Sequence, residues 1–244
     1  MKLLHGLFIL LAVCTKLQAE TLFDEARDRS IPIEITQPSG HNCSAAKPCP
    51  VAFVSAGYGM AHTQYGFMTA TLSRLGYLVI AIGHELPQDP PLAVSGDLFV
   101  NRSENWQRGA QTLAFVQQNL SSTYPNFDFN HLLLVGHSNG GDISVWLAAE
   151  GVDYVKQIIT LDNRRVPLPR DSQIKVLSIR AGDFPADNGV LPTQKEREDF
   201  PICVVTLNDA RHNDMSDLGP AWLRSKISQL VESFINEPEC EALL

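Results

Sequence analysis

Six short and nearly unbroken apolar runs, at residues 51–55, 77–82, 132–135, 157–161, 175–179 and 202–207, constrain this chain more than any other feature. A strand with one wet face alternates apolar and polar positions, so a continuous run belongs to a strand covered on both faces, as in a parallel sheet between helices. The intervals carry the matching helical period. Residues 104–120 set Trp106, Ala110, Leu113, Val116 and Leu120 three or four apart, and residues 142–150 follow a glycine pair. A last helix starts at Pro220, with Leu223, Ile227, Leu230 and Phe234 on one stripe. This alternation predicts one α/β domain, a mostly parallel sheet with helices on both faces. Ile31, Ile33 and Ile35 alternate with other positions, so 31–36 is expected as an outer strand. About a dozen residues separate 157–161 from 175–179, too few for an inserted lid domain. The longest connection, 84–103, is rich in proline and either borders a binding site or runs plainly over the surface.

The first residues have a different texture. Lys2 precedes an apolar run over 7–14, and Leu17-Gln18-Ala19 ends on a small residue. That is the pattern of a secretory signal peptide, so residues 1–19 are expected to be removed and residues 20–244 to form the domain, in a periplasmic or secreted location. The run is far shorter than the ~20 apolar residues of a spanning helix, and no later segment approaches that length, so no membrane span is expected. Leu11-Ala12-Val13-Cys14 loosely matches a lipoprotein box, with bulky Val13 where a small residue belongs. The chain has 19 basic and 27 acidic side chains, and losing Lys2 and Lys16 with the leader takes its formal charge from −8 to −10. Such a surface, lacking a basic cluster, has nothing to exchange for the counterions of nucleic acid, which excludes that class of partner. Cys43, Cys49, Cys203 and Cys240 remain, an even set in an exported chain, expected to pair as Cys43–Cys49 and Cys203–Cys240. The alternative, a metal site from His41, Cys43 and Cys49, is disfavoured in an oxidising compartment. Asn42, Asn101 and Asn119 open glycosylation patterns that matter only in a glycosylating host.

Gly136-His137-Ser138-Asn139-Gly140-Gly141 stands directly between the 132–135 run and the 142–150 helix. In that context G-x-S-x-G is a strand-to-helix elbow: flanking glycines let the backbone close, and the serine hydroxyl is thrown out at the top of the sheet. A dinucleotide-binding loop would need glycine where Ser138 stands. Serine attacks only when a general base takes its proton. His212, just beyond the last strand, has the chain position for that role. His5 lies in the leader, His41 and His131 in solvated linking positions, and His137 points away from its own serine. The carboxylate that orients the imidazole comes from a strand end, and two qualify: Asp162 after 157–161 and Asp183 after 175–179. Chain position does not separate them, although the later strand end is the commoner source. The oxyanion needs two amide donors, expected from Asn139 and from Tyr58 in Ser55-Ala-Gly-Tyr-Gly. This chemistry is complete without a metal or organic cofactor, so none is expected.

These residues, in this order, resemble the α/β-hydrolase superfamily over essentially the whole mature chain. Several segments are similar to the platelet-activating-factor acetylhydrolase group and its bacterial esterase relatives. They are Ala26-Arg-Asp-Arg-Ser-Ile-Pro-Ile-Glu, Ser55-Ala-Gly-Tyr-Gly, Ile80-Ala-Ile-Gly-His-Glu, Gly136-His-Ser-Asn-Gly-Gly, Leu161-Asp-Asn-Arg-Arg-Val-Pro-Leu and His212-Asn-Asp-Met-Ser-Asp. That group takes its acid from the earlier strand end, which the resemblance carries onto Asp162, with Asp183 retained; the segment Asp183-Phe-Pro-Ala-Asp-Asn-Gly-Val-Leu-Pro is equally a candidate contributor to substrate binding. Ala56 stands where many relatives have histidine, and no apolar membrane-docking helix is evident; both departures count against lipid substrates. The resemblance implies an exported serine hydrolase acting on small-molecule carboxylic esters with a small acyl group. The same triad serves thioesters and peptide amides, and a non-catalytic binding module can share the fold.

Overall fold

The computed structural model describes residues 17–236 and Cys240. Eight strands, β1 (Leu17–Asp24), β2 (Arg29–Thr36), β3 (Cys49–Ser55), β4 (Leu78–Ile82), β5 (Phe127–His137), β6 (Val155–Leu161), β7 (Lys175–Ala181) and β8 (Ile202–Leu207), form one sheet. Their order is β1-β2-β4-β3-β5-β6-β7-β8. The strands from β4 to β8 pair in parallel, whereas β1 and β2 form an antiparallel hairpin laid against β4. The helices are α1 (Gly66–Arg74), α2 (Leu98–Thr123), α3 (Asn139–Ala149), α4 (Gln194–Asp199) and α5 (Ala221–Asn236).

The apolar runs are continuous because each strand feeds two cores. Alternate side chains point to opposite faces. Thus Val51 and Phe53 pack with Leu132, Leu134, Trp106 and Leu113 under α2 and α3, while Ala52 and Val54 pack with Val135, Met68 and Leu72 under α1 and α5. The stripe predicted on the last helix, Leu223, Ile227, Leu230 and Phe234, is buried on that second side. Burying one such aliphatic or aromatic side chain is worth about 1.5–3 kcal/mol, so these two layers hold the strand ends on which the loops rest.

Several expectations need correction. The 31–36 strand is not outermost: β1 covers its free edge, pairing Leu22 with Ile31 and Ala19 with Glu34. Because β1 abuts the apolar leader, its first residues read as the end of that leader. The proposed cleavage after Ala19 falls inside β1 and would leave residues 20–24 on β2, while the rest of the leader and Cys14 lie outside the described residues. The 84–103 connection is shorter than expected, since α2 begins at Leu98, with the Asp97 carboxylate accepting the amides of Phe99 and Val100 as an N-cap. α1 and α4 were not expected; α1 opens on glycine with no side-chain cap, and α4 is short and exposed. Only residues 162–174 link β6 to β7, and they hold no inserted domain.

Cys43 is bonded to Cys49 at the start of β3, and Cys203 on β8 to Cys240 beyond α5, so neither Cys43 nor Cys49 offers a thiolate to a metal. Among the described residues no helix is long and apolar enough to cross a membrane.

Candidate active site

Ser138 sits between β5 and α3 with φ 51° and ψ −118°, a conformation that costs a non-glycine residue energy and persists only where the surroundings impose it. The surroundings are the flanking glycines. A β-carbon on Gly136 would lie 2.2 Å from the Gly140 carbonyl oxygen, and one on Gly140 would lie 2.3 Å from that of Ser55. Only hydrogen fits at either position, so the chain can turn this sharply and still pack α3 against the end of β3. The Asn139 side chain locks the first helical residue: Oδ1 accepts from Trp106 Nε1 (2.9 Å), and Nδ2 donates to Asn105 Oδ1 (2.8 Å). Ser138 and Asn139 therefore have a fixed backbone beneath them.

The Ser138 hydroxyl meets His212 Nε2 at 2.9 Å, and His212 Nδ1 meets Asp162 Oδ2 at 2.5 Å. A carboxylate can only accept, so Nδ1 carries the proton, and Nε2 is left to accept from the serine. Asp162 is wholly buried and itself left-handed, with φ 57°; its Oδ1 accepts the Ala181 amide at 3.1 Å and pairs with Arg180 at 2.7 Å. Of the two strand-end aspartates, Asp162 thus reaches the imidazole. Asp183 Oδ1 instead accepts the His212 backbone amide at 2.8 Å, which fixes the loop carrying the ring.

The loop after β3 closes the other side. A β-carbon built on Gly57 would lie 3.5 Å from Ser138 Cβ, so this bend lies against the serine. Among the described residues no acceptor engages the Tyr58 amide. Asn139 is the first residue of α3, where a backbone N–H has no intrahelical partner. Both expected donors thus border the same serine. The proline-rich connection also reaches this loop, since the Leu92 amide donates to the Tyr58 hydroxyl at 2.9 Å. His41 and His131 are exposed, as expected, but His131 lies within β5, which begins at Phe127, and not in a linking position; His137 faces away from Ser138.

The segment after β7, which the sequence offered as a contributor to substrate binding, forms a wall beside the imidazole, although the stacking itself left no sequence signal. Phe184 stacks on His212 with ring centroids 5.1 Å apart, and the Arg164 guanidinium lies 3.5 Å over the Phe184 ring. Phe184 is 41% exposed, an apolar surface at the mouth of the site. Its only signal was its place in the proline-containing segment after β7.

Two buried histidines are held neutral. Burial, reinforced by the neighbouring Arg29 charge, pushes His84 down to about 3. Burial, together with the nearby His212 ring, pushes His137 down to about 4. A ring whose folded value is depressed contributes stability that is complete above the unfolded value near 6.5 and is lost as pH falls below it. Urea denaturation at a series of pH values checks this for His84, whose Nε2 lies 2.9 Å from Ser55 Oγ. Between about pH 6 and pH 4, the slope of unfolding free energy should be shallower in His84→Gln than in the wild type, by about 1.4 kcal/mol per pH unit, one proton's worth.

No protein-family model and no curated protein matches the chain. Solved structures do. A dienelactone hydrolase-like promiscuous phosphotriesterase from metagenomic libraries is 19% identical, with 90% of this chain and 97% of that one covered at a TM-score of 0.65. A ferulic acid esterase from Streptomyces cinnamoneus is 15% identical, with coverage of 93% and 89% at a TM-score of 0.65. A thermophilic esterase from the Planctomycetes species Thermogutta terrifontis is 10% identical, with coverage of 91% and 95% at a TM-score of 0.66. At these identities the likeness is one of fold, and the fold is that of the α/β-hydrolases.

Proposed function

We propose that this chain is an exported serine hydrolase that cleaves carboxylic esters with a small acyl group through an acyl-enzyme intermediate. The observation that carries the reading is the continuous hydrogen-bonded series from Ser138 Oγ through both nitrogens of His212 to Asp162. Ser138 attacks the ester carbonyl as His212 Nε2 takes its proton. Asp162 holds the tautomer that makes this possible and stabilises the imidazolium that forms. The Tyr58 and Asn139 amides receive the oxyanion. His212 then returns the proton to the departing alcohol, and water repeats the sequence to release the acid. The ester, thioester and amide versions differ only in the leaving group; the esterases among the structural neighbours favour the ester. Two disulfides and the signal-like leader favour an exported location.

We assign the acyl chain to a cavity of about 90 Å³ beside the oxyanion loop, lined by Pro32, Ala56, Gly57, Met60, His62 and Glu85; the triad side chains do not line it, and Gly57 is its link to Ser138. A cavity of that size holds only a few waters, which favours a short acyl chain over a long one. A panel of p-nitrophenyl esters of increasing acyl length tests the reading. kcat/KM should be highest for acetate to butyrate and more than about tenfold lower for octanoate, because a chain too long for the cavity loses transition-state binding. A flat or rising profile would contradict the small-acyl assignment, and no turnover on any member would contradict the esterase assignment.

A further inference from the structure

His137 is the least explained polar group near the site. Its side chain is buried and turned away from Ser138, yet both ring nitrogens are engaged. Nε2 lies 2.9 Å from the carbonyl oxygen of His212, which can only accept, so Nε2 carries the proton. Nδ1 is then an acceptor, and the buried Tyr65 hydroxyl donates to it at 2.7 Å. The same hydroxyl oxygen accepts the Gly57 amide at 3.0 Å. One tautomer satisfies the whole series, which runs from the amide before Tyr58, through Tyr65 and His137, to the backbone of the base itself.

Each end of this series lies one step from the reacting atoms. Spending the Gly57 amide on Tyr65 orients the bend so that the next amide, that of Tyr58, is the free one. Holding the His212 carbonyl fixes the residue whose ring faces Ser138, while Asp183 holds its amide. A second tie docks the same two loops: the Asp217 carboxylate, five residues after His212, accepts the amides of Gly66 (2.6 Å) and Phe67 (2.9 Å) at the start of α1, next to Tyr65.

We propose that Tyr65 and His137 are positioning residues that hold the oxyanion loop and the base loop in register with the serine elbow. Neither touches the substrate. The proposal rests on the serine-hydrolase reading above. Misplacement of reacting groups is felt in the transition state more than in substrate binding, so its signature is a loss of kcat at constant KM.

Two variants break the link between tyrosine and ring. Tyr65→Phe removes the hydroxyl, and His137→Gln keeps a donor towards the His212 carbonyl but removes the ring nitrogen that accepts from Tyr65. Each should lower kcat for p-nitrophenyl acetate, and the rate of fluorophosphonate labelling, by about tenfold while KM stays within about twofold. The double variant should lose no more than the worse single one, because both substitutions cut one series. Unchanged kcat in a folded single variant, a loss confined to KM, or losses that multiply in the double variant would overturn the proposal. If Tyr65→Phe fails to fold, His137→Gln alone carries the kcat and KM criteria. A wild-type protein that neither labels nor turns over ester would instead refute the hydrolase reading itself.

Discussion

Ser138→Ala and His212→Ala should each lower kcat by about 10⁶-fold, and combining them should cost little more, because nucleophile and base act as one unit. The 2.9 Å contact between Ser138 Oγ and His212 Nε2 is the reason. Without the ring the hydroxyl keeps its proton, and without the hydroxyl the ring has nothing to activate. What survives is the contribution of substrate binding and the oxyanion amides, roughly 10³–10⁴-fold over water. Steady-state turnover of p-nitrophenyl acetate by the two single variants and the double variant checks this. Independent losses that multiply would mean that the two side chains do not work together.

The next largest effect separates the two aspartates. Asp162→Asn should lower kcat by about 10⁴-fold, since an amide nitrogen facing Nδ1 favours the tautomer that puts a proton on Nε2, where the serine needs an acceptor. It also leaves the buried Arg180 without its countercharge, so a loss of stability of about 3–5 kcal/mol should accompany the kinetic one. Turnover is therefore measured at a temperature where circular dichroism shows the variant folded. Asp183→Asn should cost less than about tenfold, because the asparagine oxygen can still accept the His212 amide. Equal losses in the two variants, or a larger loss in Asp183→Asn, would reverse their roles.

The parallel strands were legible because burial on both faces leaves an unbroken apolar run, and the elbow was legible because steric closure demands glycine at 136 and 140. What stayed hidden depends on contacts between distant segments. Asp162 and Asp183 both follow strands and look alike in the chain. They separate only because Asp162 turns left-handed at the end of β6 and sends its carboxylate under the ring, while Asp183 reaches no further than the backbone. Resemblance to a family, more than spacing, favoured Asp162. The bonds that join Tyr65, His137 and His212 across the fold left no local pattern, and the segment of Phe184 stood out as a candidate for substrate binding without any sign that its ring stacks on His212. β1 was hidden by its neighbour, the leader, whose apolar character masks where a strand begins.

Every other role in the site depends on Ser138 being a nucleophile activated by His212. The most direct test is exposure of the purified protein to a fluorophosphonate probe, followed by mass spectrometry of the labelled peptide. A single adduct on Ser138 is expected in the wild type and almost none over the same interval in His212→Ala. No adduct, an adduct on another residue, or equal labelling of the two proteins would contradict it.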